Sequence, residues 1–176
     1  MSKDEKGKNK KIVKDIYPYV LVVILVVLVR TFIITPAIVD GPSMEPTLYN
    51  NNIVLLNKLD YKLNGVKRFD VVVVSWNDEK IIKRVIGVPG EHIEYKKGNL
   101  YVDGFKVDEN FTHQDTDDFK LEEIGYLTIP GDKYLVVGDN RPNSTDSRVI
   151  GLFDKKDILG KVNLRIFPIN KIKKVK

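Results

Sequence analysis

The stretch Glu79–Gly90 reads EKIIKRVIGVPG, and its mixture of β-branched and charged residues is that of a strand. Side chains alternate across a strand, so Lys83 shares a face with Ile81 and Val85 while Arg84 falls opposite with Ile82 and Ile86. If either face is buried, one of these two cations must point inward. At an exposed sheet edge both would stay wet.

Similar runs lie on either side, bounded by turn residues: NIVLLN, DVVVVSW, EHIEY, NLYVDGFKV, YLTI, KYLVVGD and KVNLRIF. YKKGNLY and VDGFKV each carry a glycine where a hairpin turn wants positive φ. No helix-period stretch of useful length follows residue 45, and there is no internal repeat. The polar, acidic segment 108–125 reads as a long surface excursion. The predicted fold class is all-β, a compact antiparallel barrel or sandwich-like domain over residues 36–170, carried behind one N-terminal transmembrane helix.

That helix is read from IYPYVLVVILVVLV, Ile16–Val29, which holds no charge and resumes after Arg30 as TFIITPAIV. Counted to Ile34, the run of 19 residues gives about 28 Å of helix, close to the ~30 Å hydrocarbon core. Arg30 near one end can snorkel to the interface, and Tyr17 and Tyr19 suit the other. A cleavable signal peptide is the competing reading, since Thr-Pro-Ala at 35–37 offers small residues. Arg30 between the apolar run and that site favours a retained anchor over residues 16–35.

Charge sets the orientation. The 176 residues carry a net charge of +5, and the excess sits at the ends. Residues 1–15 hold Lys3, Lys6, Lys8, Lys10, Lys11 and Lys14 against three acids, and the tail 171–176 holds four lysines and no acid. The body between is slightly acidic, which argues against a nucleic-acid partner. A lysine-rich flank before the span predicts a cytoplasmic tail at 1–15 and puts the β domain on the outer face of the cell membrane. The C-terminal lysines read as a solvated basic tail.

The chain has no cysteine, which excludes disulfides, thiolate metal sites and cysteine nucleophiles. His92 and His113 have no distinctive setting and read as solvated residues rather than bases. Asp115, Asp117 and Asp118 lack a metal-loop spacing, so neither metal nor cofactor is expected. Ser43 lies in VDGPSMEPTL between Pro42 and Pro46, where a serine is ordinarily a turn residue. Lysine is the remaining base, and it needs an apolar wall that lowers its pKa from ~10.4 toward ~7–8. Lys83 alone stands among apolar neighbours in a strand. GDNRPNSTDSR, Gly138–Arg148, is a turn-rich loop in which Asp146 and Arg148 can pair if extended.

Taken together, GPSMEPTL, KRVIGVPGE and GDNRPNSTDSR, in that order behind one apolar anchor, resemble the motif boxes of type I signal peptidases of the bacterial serine–lysine branch, with the single-anchor, Gram-positive-like pattern. RFDVVVV, Arg68–Val74, resembles a further box that usually begins RGD; Phe69 stands in place of its glycine. The resemblance implies Ser43 as nucleophile, Lys83 as general base and the Ser43 N–H as an oxyanion-hole donor. Gly41 occupies the position from which some members supply a second donor. It further implies that Ser144 orients the lysine, that Asp146 and Arg148 form an ion pair near the site, and that Asp139 is an acid of the same box. The implied activity is a membrane-anchored serine endopeptidase that removes signal peptides from secretory preproteins after Ala-x-Ala-like sites. The substrate would lie extended beside the strands that lead to Ser43 and Lys83. Preproteins, membrane lipid and the secretion translocase are the implied partners.

A self-cleaving repressor-type peptidase shares the dyad but needs a DNA-binding domain and no anchor, the reverse of this sequence. A catalytically idle, membrane-tethered β domain that binds signal peptides is the alternative from another class, and a plain anchored β module is the third. Intact Ser43, Lys83, Ser144 and Asp146 count against the idle domain, and the joint motif alone counts against the plain module.

Overall fold

Two antiparallel sheets carry the chain. The structure, a computed structural model, describes residues 3–175, with side chains from Ile16 onward. The lysines assigned to the basic segment 1–15, and Lys176, therefore lie outside the described side chains. Helix α1 (Lys3–Phe32) leads into β1 (Ile34–Ile38), β2 (Ile53–Asn57), helix α2 (Lys58–Asn64), β3 (Val71–Trp76) and β4 (Glu79–Gly87). There follow β5 (Ile93–Lys96), β6 (Asn99–Val102), β7 (Phe105–Val107), β8 (Phe119–Lys120) and β9 (Lys133–Val137). Helix α3 (Ser147–Ile150), β10 (Phe153–Asp154), β11 (Ile158–Phe167) and β12 (Lys173–Lys174) complete the chain.

The larger sheet runs β1-β2-β11-β3-β4-β9-β10, with β12 against β11; the smaller runs β7-β6-β5-β8. The expected antiparallel β architecture is present, but not as a closed barrel. The large sheet stays open because its end strands, β1 and β10, pair only with β2 and β9. Most predicted strand runs appear. YLTI does not: Ile129 is buried and exchanges single backbone bonds with Glu91 and Gly90, and Pro130 stops a ladder from propagating.

Both faces of β4 are covered, so neither of its adjacent cations is wet. Ile82 packs with Val39, Met44, Leu48, Val54, Val71 and Val73 on one face. Val85, with Ile81 beside it, packs on the other with Val72, Val74, Val136 and Phe153. A third cluster, Ile86, Ile93, Tyr95, Leu100, Phe119 and Leu121, joins the two sheets. Phe119 and Leu121 belong to the segment read as a surface excursion; buried here, with Phe111 and Ile124 packed against the same cluster, they fasten it to this core.

Helix α1 ends at Phe32, and Ile34 and Thr35 already belong to β1. Among the described residues no helix is long and apolar enough to cross a membrane. Every large apolar side chain from Ile16 to Val29 is nevertheless at least 38 % exposed.

Arg84 is fully buried, and its guanidinium is satisfied on every side. Nε and Nη2 donate to the two Asp139 carboxylate oxygens at 2.8 and 2.7 Å, and Nη1 donates to the Phe69 carbonyl at 2.9 Å. The Phe111 ring lies 3.8 Å from its centre. Phe69 itself has φ of 71°, a left-handed conformation in which glycine is unstrained and phenylalanine is not. Its ring offsets this by packing on Phe111, with centroids 5.2 Å apart. The RGD-type glycine is thus replaced at a position whose backbone still has the shape a glycine favours. Asp139→Ala should strand the Arg84 charge and lower the unfolding free energy by ~3–5 kcal/mol in denaturant titration. Arg84→Met with Asp139→Leu should lose far less, because no buried charge is left unpaired.

Candidate active site

Ser43 sits in the turn between β1 and β2. That turn is held at its base by Met44 and Leu48, which are 1 % and 0 % exposed. Local bonds close it: the Glu45 N–H donates to the Pro42 carbonyl and the Leu48 N–H to that of Met44. Two further bonds arrive from the loop after β9. The Asn140 N–H donates to the Ser43 carbonyl at 3.0 Å, and Asn140 Nδ2 donates to the Pro42 carbonyl at 3.1 Å. The peptide that presents the hydroxyl is therefore clamped from a segment almost a hundred residues away.

Lys83 reaches this turn from β4. Its Nζ donates to Ser43 Oγ at 2.7 Å. The residue is 3 % exposed, and burial pushes the ammonium down to about 8, with Asp146 pulling upward and Arg148 adding to the fall. Desolvation dominates because no carboxylate pairs with Lys83 directly, in contrast to Arg84 one residue on.

Asp146 caps α3 and is fully buried. Burial alone would raise its carboxyl, but the Arg148 fork, at 2.9 and 2.8 Å, and the Gly138 N–H hold it below its ordinary range. Arg148 also donates to the Arg141 carbonyl at 2.7 Å, so the ion pair stitches the loop to itself. Ser144 Oγ is buried and has no hydrogen-bond partner of good geometry among the described residues, yet it is near enough to Asp146 to help hold that carboxyl below its ordinary range. It lines the same open depression as Ser43 and Lys83, together with Asp40, Gly41, Trp76, Ile81, Pro142 and Asn143. A larger depression at Thr47, Tyr49, Asn110, Arg165 and Lys171 lies away from this chemistry.

The structure thus brings Ser43, Lys83, Ser144 and the Asp146–Arg148 pair together, and turns Asp139 onto Arg84. Gly41 borders the depression with φ of 84°, but its N–H donates to Asn50 Oδ1 at 3.1 Å. His92 meets Glu122, and His113 meets Gln114 and Glu109, outside this depression. Asn140, Asn50 and Gly138 are the contributors that sequence reasoning passed over. Gly138 has no unusual φ. What it needs is space: a Cβ there would lie 2.4 Å from the Ser43 carbonyl oxygen and 2.3 Å from Ser144 Oγ.

Residues 12–167 match the family model described as signal peptidase, peptidase S26. The chain belongs to this signal peptidase family. Signal peptidase I P of Bacillus subtilis subsp. natto is 42 % identical over 181 residues, covering 98 % of each chain. Signal peptidase IB of Staphylococcus aureus strain COL is 38 % identical over 180 residues, covering 94 % of each. Among solved structures, a signal peptidase I from Enterococcus faecalis V583 superposes with a TM-score of 0.51 at 34 % identity, over 55 % of this chain and 96 % of that one. Signal peptidase I function follows from this likeness, and with it membership of a serine peptidase family.

A signal peptidase whose Ser43 turn presses this closely on Gly138 tolerates no side chain there. With Ser43 as the reacting group, the role proposed below, Gly138→Ala should cut kcat by at least ~10²-fold, the order expected for a displacement of about 1 Å, while circular dichroism stays that of the parent.

Proposed function

We propose that this signal peptidase is a membrane-anchored serine endopeptidase that cleaves secretory preproteins after Ala-x-Ala-like sites, with Ser43 as nucleophile and Lys83 as general base. The observation that carries the proposal is the 2.7 Å approach of Lys83 Nζ to Ser43 Oγ by a lysine whose pKa is about 8. As an ammonium, Lys83 only donates. Once neutral, it offers a lone pair along the same line and accepts the Ser43 proton.

Ser43 Oγ then attacks the scissile carbonyl carbon, and its proton passes to Nζ. Collapse of the tetrahedral intermediate breaks the C–N bond, and the Lys83 ammonium returns that proton to the leaving amine. Neutral again, Lys83 takes a proton from water, whose oxygen attacks the acyl ester. The proton goes back to Ser43 Oγ, and the signal peptide leaves with a new carboxylate. The Ser43 N–H, which meets no acceptor among the described residues, supports a role as oxyanion donor. With the Gly41 N–H engaged by Asn50, the mechanism draws no second donor from it. The unpaired Ser144 hydroxyl is suited to orienting Lys83 between these steps, and Asp146 with Arg148 to holding that loop in place.

Pairing supports the substrate's binding mode. β4 pairs with β3 along Glu79–Arg84, but with β9 only from Arg84 onward. Its second edge is open over the residues that lead to Lys83, beside Trp76 and Ile81. An extended peptide added there would end its ladder at the base. Of the expected anchor, 16–35, the helical part that ends at Phe32 serves as the anchor in this reading, Ile34 and Thr35 being paired in β1. Support comes from the exposed apolar surface of α1, a helix apolar on all sides being one that lipid or protein covers. The lysine-rich start places the N-terminus in the cytoplasm and the catalytic domain outside.

Purified, detergent-solubilised protein should cut a preprotein at its Ala-x-Ala site, and Ser43→Ala and Lys83→Ala should each lose at least ~10³-fold. A wild type that cuts nothing, or a Lys83→Ala that cuts as well, would leave a binding module instead. Because neutral Lys83 is the active form and it predominates above its pKa, kcat/KM should rise with pH through a single ionisation near 8. A profile flat from about pH 6.5 to 9.5 would exclude Lys83 as the base.

A further inference from the structure

Helix α2 turns both of its leucines to the outside. An amphipathic helix at a protein surface normally turns its apolar stripe inward and its polar residues to water. In α2, sequence KLDYKLN, Asp60 and Tyr61 turn toward the protein, Tyr61 packing against a core cluster, while Leu59, Lys62, Leu63 and Asn64 are exposed. Asp60 accepts from Asn163 Nδ2 of β11 at 3.2 Å and from Asn64 Nδ2 at 2.6 Å, and the buried Lys161 ammonium lies 3.5 Å away. Tyr61 donates its hydroxyl to the Lys155 carbonyl. At 100° per residue, positions 60, 61 and 64 share that inner side, and 59, 62 and 63 share the other. The outer side thus consists of Leu59, Leu63 and Lys62, with the leucines 41 % and 73 % exposed.

This outward stripe adjoins the end of α1. The Lys58 N–H donates to the Ile33 carbonyl, and Lys58 Nζ to that of Thr31 at 3.0 Å. Lys62 Nζ stands 5.8 Å from the centre of the Phe32 ring, which is itself 54 % exposed. The exposed apolar surface of α1 therefore ends at Phe32 next to the exposed leucines of α2, the two joined through Lys58 and Lys62. Whatever covers α1 also meets α2.

We propose that α2 is an interfacial foot that rests on the bilayer beside the anchor. Leu59 and Leu63 enter the headgroup boundary, and Lys58 and Lys62 lie at the level of anionic lipid phosphates, their stems along the apolar surface. The inference rests on the anchor reading given above. Its consequence for function runs through β1. That strand leaves the foot at Ile34, which pairs with Asn57 directly before α2, and ends at Ile38, a few residues from Ser43. Five residues of strand span about 17 Å. A foot fixed at one end of β1 therefore limits the height and tilt of the nucleophile at the other.

The absence of cysteine makes the test direct. Single variants Leu25→Cys in α1, Leu63→Cys in α2 and Phe105→Cys in the smaller sheet are spin-labelled in the full chain. They are then reconstituted in vesicles of phosphatidylglycerol and phosphatidylcholine and compared for accessibility to oxygen and to a water-soluble nickel chelate. The expected result is Leu25 deep in lipid, Leu63 at the interface and Phe105 in water. Leu25 in lipid with Leu63 as aqueous as Phe105 overturns the foot and leaves the anchor standing. Leu25 in water removes both. In the second arm, Leu63→Asp should cut a preprotein inserted in such vesicles about 10-fold more slowly, a tenfold effect being one decade of differential free energy, with cleavage of a soluble peptide unchanged. An equal fall on both substrates would overturn the foot and make the role of Leu63 structural.

Discussion

Everything in this site depends on taking a lysine out of water without giving it a counter-ion. Lys83 and Arg84 are neighbours on one strand and both are buried, yet their fates are opposite. Around Arg84 a two-oxygen carboxylate, a carbonyl and an aromatic face replace water. Lys83 is given a hydroxyl and an apolar wall, and its cheapest response is to lose its proton more readily. Exchange of the two environments would give a charged, idle lysine and an unsatisfied guanidinium. The pleat keeps them apart, since consecutive residues cannot reach the same face.

The turn that carries Ser43 and the loop that carries Ser144 and Asp146 are equally interdependent. Neither is a regular element, so neither is rigid by its own ladder. Stiffness comes instead from core residues beneath the first, Met44 and Leu48, and from an ion pair and cap inside the second. Asn140 then ties the two together through backbone carbonyls, and Gly138 lets them approach closely enough for those bonds to form. A hydroxyl held this way has little freedom to leave the Lys83 amine, which is the condition for an oriented proton transfer.

Much of this was legible in residue order, for identifiable reasons. The two-residue period at 79–86 assigned Lys83 and Arg84 to opposite faces, and β-branched runs located most strands. What the period could not tell was that both faces were buried, because that depends on strands β3, β9 and β11 and on the turn above them. Strand β1, ITPAI, was hidden by its proline and by the apolar run just before it. Helix α2 escaped because its seven residues are too few to show a helical period, and its leucines face outward. Ser43 and Lys83 stood out through their motifs. The clamp from Asn140 and the crowding at Gly138 did not, since they are contacts between backbone atoms distant in sequence and leave no periodic trace.

The register of β4 links binding to chemistry in a way that neither residue type nor motif conveys. Up to Lys83 the strand is paired with β3 alone, and at Arg84 β9 joins on the other edge and continues to Gly87. Lys83 stands at that boundary, the last residue before the second edge closes. A peptide that extended the sheet along the open edge could advance no further than β9 permits, so the strand itself would set which bond lies over Ser43 Oγ. Such a peptide would also strip remaining water from the depression, and each lost water disfavours the ammonium further. In the proposed mechanism, then, substrate binding and activation of the base are not separate events. The same edge that aligns the chain to be cut completes the dry surroundings the lysine needs to cut it.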